Sequence, residues 1–399
     1  MKFLASRWSL NEIHDNQTVH RKTVKEDRRQ NIIHDFLKNI FMQNFDEYIR
    51  QGEPSQKEKA QIWQTAIGLQ DVDGLKPSEY LLETAKENIE NKITIYEVQR
   101  RIDSYYKQQS NCKNIETERT EEADKVSARI TEILSNNTFS FSPLEYIEIH
   151  RRLFTGIYKF AGRIRDYNIS KEEWVLNGKS VLYSDYILLR QTLDYDFAQE
   201  KQFDYQQFDL LQSIQHIAKF ISGLWQIHAF GEGNTRTTAV FAIKYLRSFG
   251  FEIDNKLFAE HSWYFRNALV RANYNDLKND IKATTEYLMR FFRNLLLEEN
   301  NTLRNREMLV GWKVETDFQG AKTEEDEISK SDICTLNCTL EEHFVLEFLK
   351  YNPRATQKVI AAHIRKSERT VKTITTNLQQ KGLLERKNGK RDGLMKYKP

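Results

Sequence analysis

Apolar positions recur at helical spacing through most of the chain. Between 210 and 224, Leu210, Ile214, Ile217, Ile221 and Leu224 alternate steps of four and three, the stripe of a buried amphipathic helix, and His228 falls in the same register. The next run, TTAVFAIKYLRSFG, carries Ala239, Val240, Ile243 and Leu246 and stops at Gly250, a natural helix-ending residue. HAFGEGNTR is therefore expected to be a loop between two helices. The helical period fills 125–305 and breaks only at RDYNISKEEWVLNGKSVLY, where β-formers flank Asn177-Gly178 and predict a hairpin over 168–183. Upstream, 61–106 reads as short helices with a start at Ser78, and the charged run NIETERTEEADK leads into the middle region. Residues 1–60 are polar, with one helix expected around NIIHDFLKNIFMQN. A polar linker, 306–338, precedes a tail, 339–399, with three helical patterns and two short β-like runs around Asn388-Gly389. The expected fold class is mainly α, with one β-hairpin and a small C-terminal domain.

Composition narrows the setting. A chain of 399 residues, 39% hydrophobic, is long enough for more than one core. Its net charge of +3 hides an asymmetry: from Tyr351 onward thirteen Lys and Arg face Glu368, Glu385 and Asp392, so the tail is +10 and the remainder −7. No stretch approaches the roughly 20 apolar residues of a membrane span, and MKFLASRWSLNE is too short and polar for a secretory signal, so no membrane partner and a cytoplasmic location are expected. Cys112, Cys334 and Cys338 cannot build a disulfide framework, which agrees with a reducing compartment; with His343 they also miss the common zinc spacings.

The loop can carry chemistry. Glycines let backbone amides approach a ligand, and the helix start near Asn234 presents unpaired amides and a positive dipole end, a ready anion site. Glu232 could hold Mg²⁺ against phosphates, Arg236 could grip phosphate oxygens in fork geometry, and His228 could take a proton near neutral pH. Together these are the parts for transferring a portion of a nucleotide to a hydroxyl group. Singly, each has a plainer reading, a core histidine or an ordinary interhelical turn.

The order His228, Phe230, Glu232, Gly233, Asn234, Arg236 resembles the signature of the Fic family, whose members modify proteins by AMP transfer. HRRLFTGIYKFAGRIR, 150–165, is similar to the helix and turn before that family's target-binding flap, and YFRNALVRANYND to its closing helix. The resemblance implies a Fic-type helical core over 125–305, with ATP as substrate and Mg²⁺ as metal. His228 would be the base, Glu232 the metal ligand, and Gly231, Gly233, Asn234, Thr235 and Arg236 the phosphate cradle, with Arg236 on the β-phosphate. Asn273 would lie near the nucleoside. Val175, Leu176, Asn177 and Gly178 would form the flap that adds a strand of the target protein, which presents a Ser, Thr or Tyr hydroxyl.

Two departures bear on this expectation. Thr235 replaces a loop glycine, and Ala239 stands where the family's second arginine holds the γ-phosphate or pairs with an inhibitory glutamate. The segment 61–106 resembles the antitoxins that silence such enzymes, but its inhibitory pattern is degenerate, leaving Asp73 (with Leu69 and Gly74) and Glu90 (with Lys86 and Asn91) as candidates. Without a cationic partner at 239, relief on removing either acid is expected to be only a few-fold. The tail resembles a winged helix-turn-helix, in which Ser367 caps a helix presenting Arg369, Lys372 and Thr376 to DNA. A nucleotide-sensing transcription regulator is thus the alternative to a protein adenylyltransferase, as is transfer of another phosphate-containing group.

Overall fold

Capping residues and apolar stripes set the helices of this computed structural model, which describes residues 45–108, 114–251, 253, 256–311, 338–364, 366–387 and 394–397. The expected helix around 31–44 lies outside them. The described chain begins with α1 (Asp46–Gln51), α2 (Pro54–Gly68), a 3-10 turn (Leu69–Asp73), α3 (Glu79–Ile89) and α4 (Ile95–Gln108). Ser78 caps α3 by accepting from the Leu81 amide. Trp63, Leu81, Ile89, Val98 and Ile102 close a small core of their own. No break falls at residue 60, because Pro54 at the first position and the Glu53–Gln56 capping box start α2 earlier and carry it through.

α5 (Ile115–Ser135) corrects the expectation for NIETERTEEADK. This run is the first half of a long helix, capped by Asn114, with Ala123, Val126, Ile130 and Ile133 buried on one face. Its acids sit in the first turns, where the helix dipole favours them.

The main core is formed by α6 (Pro143–Phe154), α7 (Leu189–Gln202), α8 (Leu210–Ile227), α9 (Asn234–Phe249), α10 (Lys256–Ala272) and α11 (Glu286–Leu297). The stripe Leu210, Ile214, Ile217, Ile221, Leu224 is fully buried, as its spacing predicts. α9 ends at Gly250, whose φ of 102° lets the chain leave in a left-handed turn. The N-terminal helices meet this core where α2 crosses α10. There a Cβ on Gly68 would come within 2.4 Å of the Ala259 carbonyl oxygen, and the Ser262 hydroxyl donates to the Gly68 carbonyl at 2.7 Å. Glycine at 68 therefore permits the approach that brings the 3-10 turn against α9 and α10.

No strand forms over 168–183, in contrast to the expected β-hairpin. The turn itself is present: Asn177 and Gly178 have φ of 53° and 80°, and Glu173 N–H donates to Lys179 O at 3.0 Å. Its approach is a 3-10 turn, Trp174–Leu176, because the adjacent apolar residues Val175 and Leu176 both enter the core, which strand alternation forbids.

The tail consists of α12 (Leu340–Tyr351), α13 (Gln357–His363), α14 (Glu368–Gln380) and a two-stranded antiparallel sheet, β1 (Leu384–Lys387) with β2 (Leu394–Tyr397). Asn388-Gly389 lies outside the described residues. Ser367 caps α14 as expected, and Leu346, Leu349, Ile360, Val371 and Leu378 form its core. The tail is seated on α8: Leu210 N–H donates to Cys338 O at 2.7 Å, and Phe344 meets Phe251 at 4.7 Å. Cys338 is buried and in no disulfide, and burial pushes its thiol up to about 12; no cluster of three or more His, Cys, Asp or Glu suited to a metal occurs among the described residues. Cys112 and Cys334 lie outside them. Among the described residues no helix is long and apolar enough to cross a membrane.

Candidate active site

His228 ends α8 in a left-handed conformation, φ 51° and ψ 55°. That is an uncommon geometry for a residue with a Cβ, and the surrounding structure imposes it. Arg165 donates to the His228 carbonyl at 2.8 Å and to the carbonyls of Tyr167 and Ser184 at 2.5 Å each. The ring lies against Tyr183, 4.1 Å between centroids. It is 5% exposed, and Nδ1 has no partner among the described residues. Burial pushes its pKa well below the usual value, and the charges of Lys171 and Arg165 push it further the same way. His228 is a neutral imidazole at pH 7.

The loop after it is braced from inside. Asn234 is the brace: its Nδ2 donates to Phe230 O at 2.7 Å and its Oδ1 accepts from Phe230 N–H at 3.0 Å. Its buried amide is thus directed into the loop. Thr235 accepts from the Trp225 indole at 3.0 Å, so its hydroxyl is spent on packing as well. His150, which sequence reasoning passed over, stacks on Phe230 at 3.7 Å, accepts Gly162 N–H at Nδ1 and contacts Glu232 O through Nε2 at 3.0 Å. Since Nδ1 accepts, Nε2 carries the proton and donates. Burial lowers the His150 pKa to about 4, which fits that fixed neutral tautomer. A Cβ on Gly233 (φ 77°) would lie 2.4 Å from the Phe154 ring, and one on Gly231 2.7 Å from the Tyr167 hydroxyl. Both glycines are required by close packing, and no side chain caps the α9 start that follows Gly233.

Arg236 and Glu232 lie on opposite sides of this loop in different surroundings. Arg236 is 1% exposed. Its NH1 donates to Gln70 Oε1 at 3.0 Å and its NH2 to Glu122 Oε1 at 2.6 Å, with Tyr158 at 3.3 Å. Its Nε lies 2.9 Å from Asp73 Oδ2 without being aimed at it, so that contact is an ion pair rather than a hydrogen bond. The guanidinium also sits over the Phe154 ring. Burial opposes its charge, but Asp73, Tyr158 and Glu122 outweigh burial and raise its pKa. Arg119 fixes the end of the 3-10 turn by donating to the carbonyls of Asp73 and Gly74. Asp73 thus has a cationic partner, contrary to the expectation drawn from Ala239: the partner is the first motif arginine. Glu90 is elsewhere, bonded to the Tyr48 hydroxyl at 2.6 Å and paired with Lys92 in the N-terminal unit. Ala239 is fully buried.

Glu232 is half exposed, and its Oε1 is 2.6 Å from Lys171 Nζ. One carboxylate cannot cage a metal alone, but Mg²⁺ is commonly held by one or two carboxylates together with substrate phosphates, and Glu232 suits that arrangement. Asn273 is pinned to α8 by donating to Ser222 O and Oγ and to Leu269 O. In the flap, Val175 and Leu176 are buried, and the backbone edge at Val175 is already used: Val310 N–H donates to Val175 O at 2.8 Å, and Asn177 Nδ2 to Val310 O at 3.0 Å. Those contacts tie this segment to Val310.

Residues 140–246 match the family model of the Fic/DOC family, whose members are typically transferases. No match to the chain is found among curated proteins.

Proposed function

We propose that the chain is a protein adenylyltransferase, with ATP as donor, restrained by its own N-terminal helices. The observation that carries this reading is the pairing of neutral His228, its Nδ1 unpartnered, with the uncapped N-terminus of α9 across one rigid loop. The loop amides and the helix dipole would receive phosphate oxygens, and Glu232 would hold Mg²⁺ brought with the nucleotide. The metal would supply charge neutralisation on the phosphates. His228 takes the proton of the target hydroxyl as its oxygen bonds to the α-phosphorus; the bond from that phosphorus to the bridging oxygen breaks, and pyrophosphate leaves. The half-exposed Trp174 and exposed Leu182 offer the target an apolar contact beside the site. Arg236 would reach the β-phosphate only after leaving Asp73, Glu122 and Gln70, so the N-terminal unit restrains the enzyme.

The test is incubation with ATP and Mg²⁺ followed by mass spectrometry of the chain and an added lysate. An AMP adduct that disappears with His228→Ala supports the reading, and equal modification by that variant removes His228 as the base.

A second reading concerns the tail. Arg369, Lys372 and Thr376 are exposed on one face of α14 while Val371, Ile374 and Leu378 face inward, the disposition of a helix that presents basic residues to DNA. Binding of the full chain to duplex DNA should then weaken with salt, with a log-log slope near −0.9 per phosphate neutralised. A flat salt response would leave the tail a protein-docking module.

A further inference from the structure

Lys171 belongs to no motif, and its ammonium pairs with an acid of the loop itself. Arg236 is enclosed, Arg165 is spent on backbone carbonyls, and Arg266 pairs with the buried Glu173 at 2.9 Å. Lys171 instead reaches over the loop from the segment before the flap turn, where its N–H donates to the Ser180 hydroxyl at 3.1 Å. Its ammonium meets Glu232, the acid expected to receive a metal. Were Glu232 to hold a divalent cation, its carboxylate would no longer be free to neutralise that ammonium, and Lys171 would turn away from it. The released group is then a long, flexible cation beside the α9 amides. A cation is wanted there, because Ala239 leaves the outer phosphates without the arginine that the family pattern supplies at that position.

We propose that Lys171 binds the outer phosphates of the nucleotide, after exchanging its partner Glu232 for them when the metal binds. In the nucleotide-free protein the same lysine neutralises Glu232, so one side chain serves the site in both states. The inference rests on the nucleotide reading above and adds the residue that selects a triphosphate over a monophosphate. A lysine suits the exchange: its point charge on four methylenes has no fixed fork to realign.

The experiment measures binding of ATP and AMP by calorimetry in a chain carrying Asp73→Asn and Glu122→Gln, so that the buried arginine is released. With Mg²⁺, Lys171→Met should lower ATP affinity about ten-fold, the loss of one charged contact, and leave AMP affinity unchanged; Lys171→Arg should restore most of it. Without Mg²⁺, Glu232→Gln should tighten ATP binding several-fold by freeing the lysine, and that gain should vanish in the Glu232→Gln, Lys171→Met double variant. An ATP-to-AMP preference unaltered by Lys171→Met, or a Glu232→Gln gain that survives loss of the lysine, overturns the inference while the nucleotide reading stands. A parent chain that binds neither ATP nor AMP overturns both.

Discussion

The two ion-paired edges of the loop have opposite character: one cation faces two acids, the other one. Arg236 is enclosed by Asp73, Glu122, Gln70 and Tyr158 and is almost wholly buried, whereas Lys171 and Glu232 form a single pair with 23% and 54% of their side chains exposed. Water already solvates the second pair, so a metal or phosphate can replace either partner at little cost. At Arg236, removing one partner leaves a charge stranded in a dry site. Burial, not the pairing of charges, decides which cation a ligand can recruit; in the proposed reading the first edge restrains and the second latches.

Four expectations can break or sharpen that contrast. The largest effect belongs to the proposed base: His228→Ala should reduce AMP transfer by about 10² to 10⁴-fold while melting temperature and ATP binding hold, as rates, thermal unfolding and calorimetry would record. Next comes the enclosed edge. Asp73→Asn combined with Glu122→Gln should raise the initial transfer rate by roughly a hundred-fold, on the order of 3 kcal/mol, while Glu90→Gly should change nothing because Glu90 lies on Tyr48 and Lys92. A rise with Glu90→Gly alone would show that restraint runs by another route.

Stability should separate the edges too. Glu122→Ala is expected to cost about 3–5 kcal/mol in chemical denaturation unless the N-terminal unit swings off and solvates Arg236, whereas Lys171→Met should cost less than about 1 kcal/mol. Equal costs would erase the distinction. The smallest effect is on pH dependence. Burial first, then the Lys171 charge, depress His228, so the base stays deprotonated below its ordinary range and the acid limb of kcat/KM should lie below about pH 6.5. Removing a neighbouring positive charge raises the pKa of an imidazole, so Lys171→Met should move that limb upward. A limb that stays fixed would separate Lys171 from His228.

Much of the candidate loop was legible because it rests on local rules. The stripe of α8, the uncapped start after Gly233 and the stop at Gly250 all follow from spacing and glycine placement. The enclosure of Arg236 was not legible, since it needs Asp73 from a 3-10 turn and Glu122 from a different helix, brought together by the Gly68 crossing. A signal for α5 existed in the spacing of Ala123, Val126, Ile130 and Ile133 after Asn114, but the run of acids around it reads as a solvated linker. The flap shows the opposite failure. Asn177-Gly178 correctly marks a turn, yet the buried pair Val175 and Leu176 draws the chain into the core, where tertiary packing overrides β-propensity. Asn234 shows a third point, that a polar side chain read only for a ligand also holds the loop's own shape.

Whether the loop transfers AMP once Arg236 is released can be read by supplying the Asp73→Asn, Glu122→Gln chain with ATP labelled at either the α- or the γ-phosphate, with Mg²⁺ and lysate. Label above that in lysate alone should enter protein from the α-position only, strongly in this chain, weakly in the wild type and not at all with His228→Ala added. Incorporation from the γ-position above that background, or none from either in the released chain, would contradict the proposed transfer.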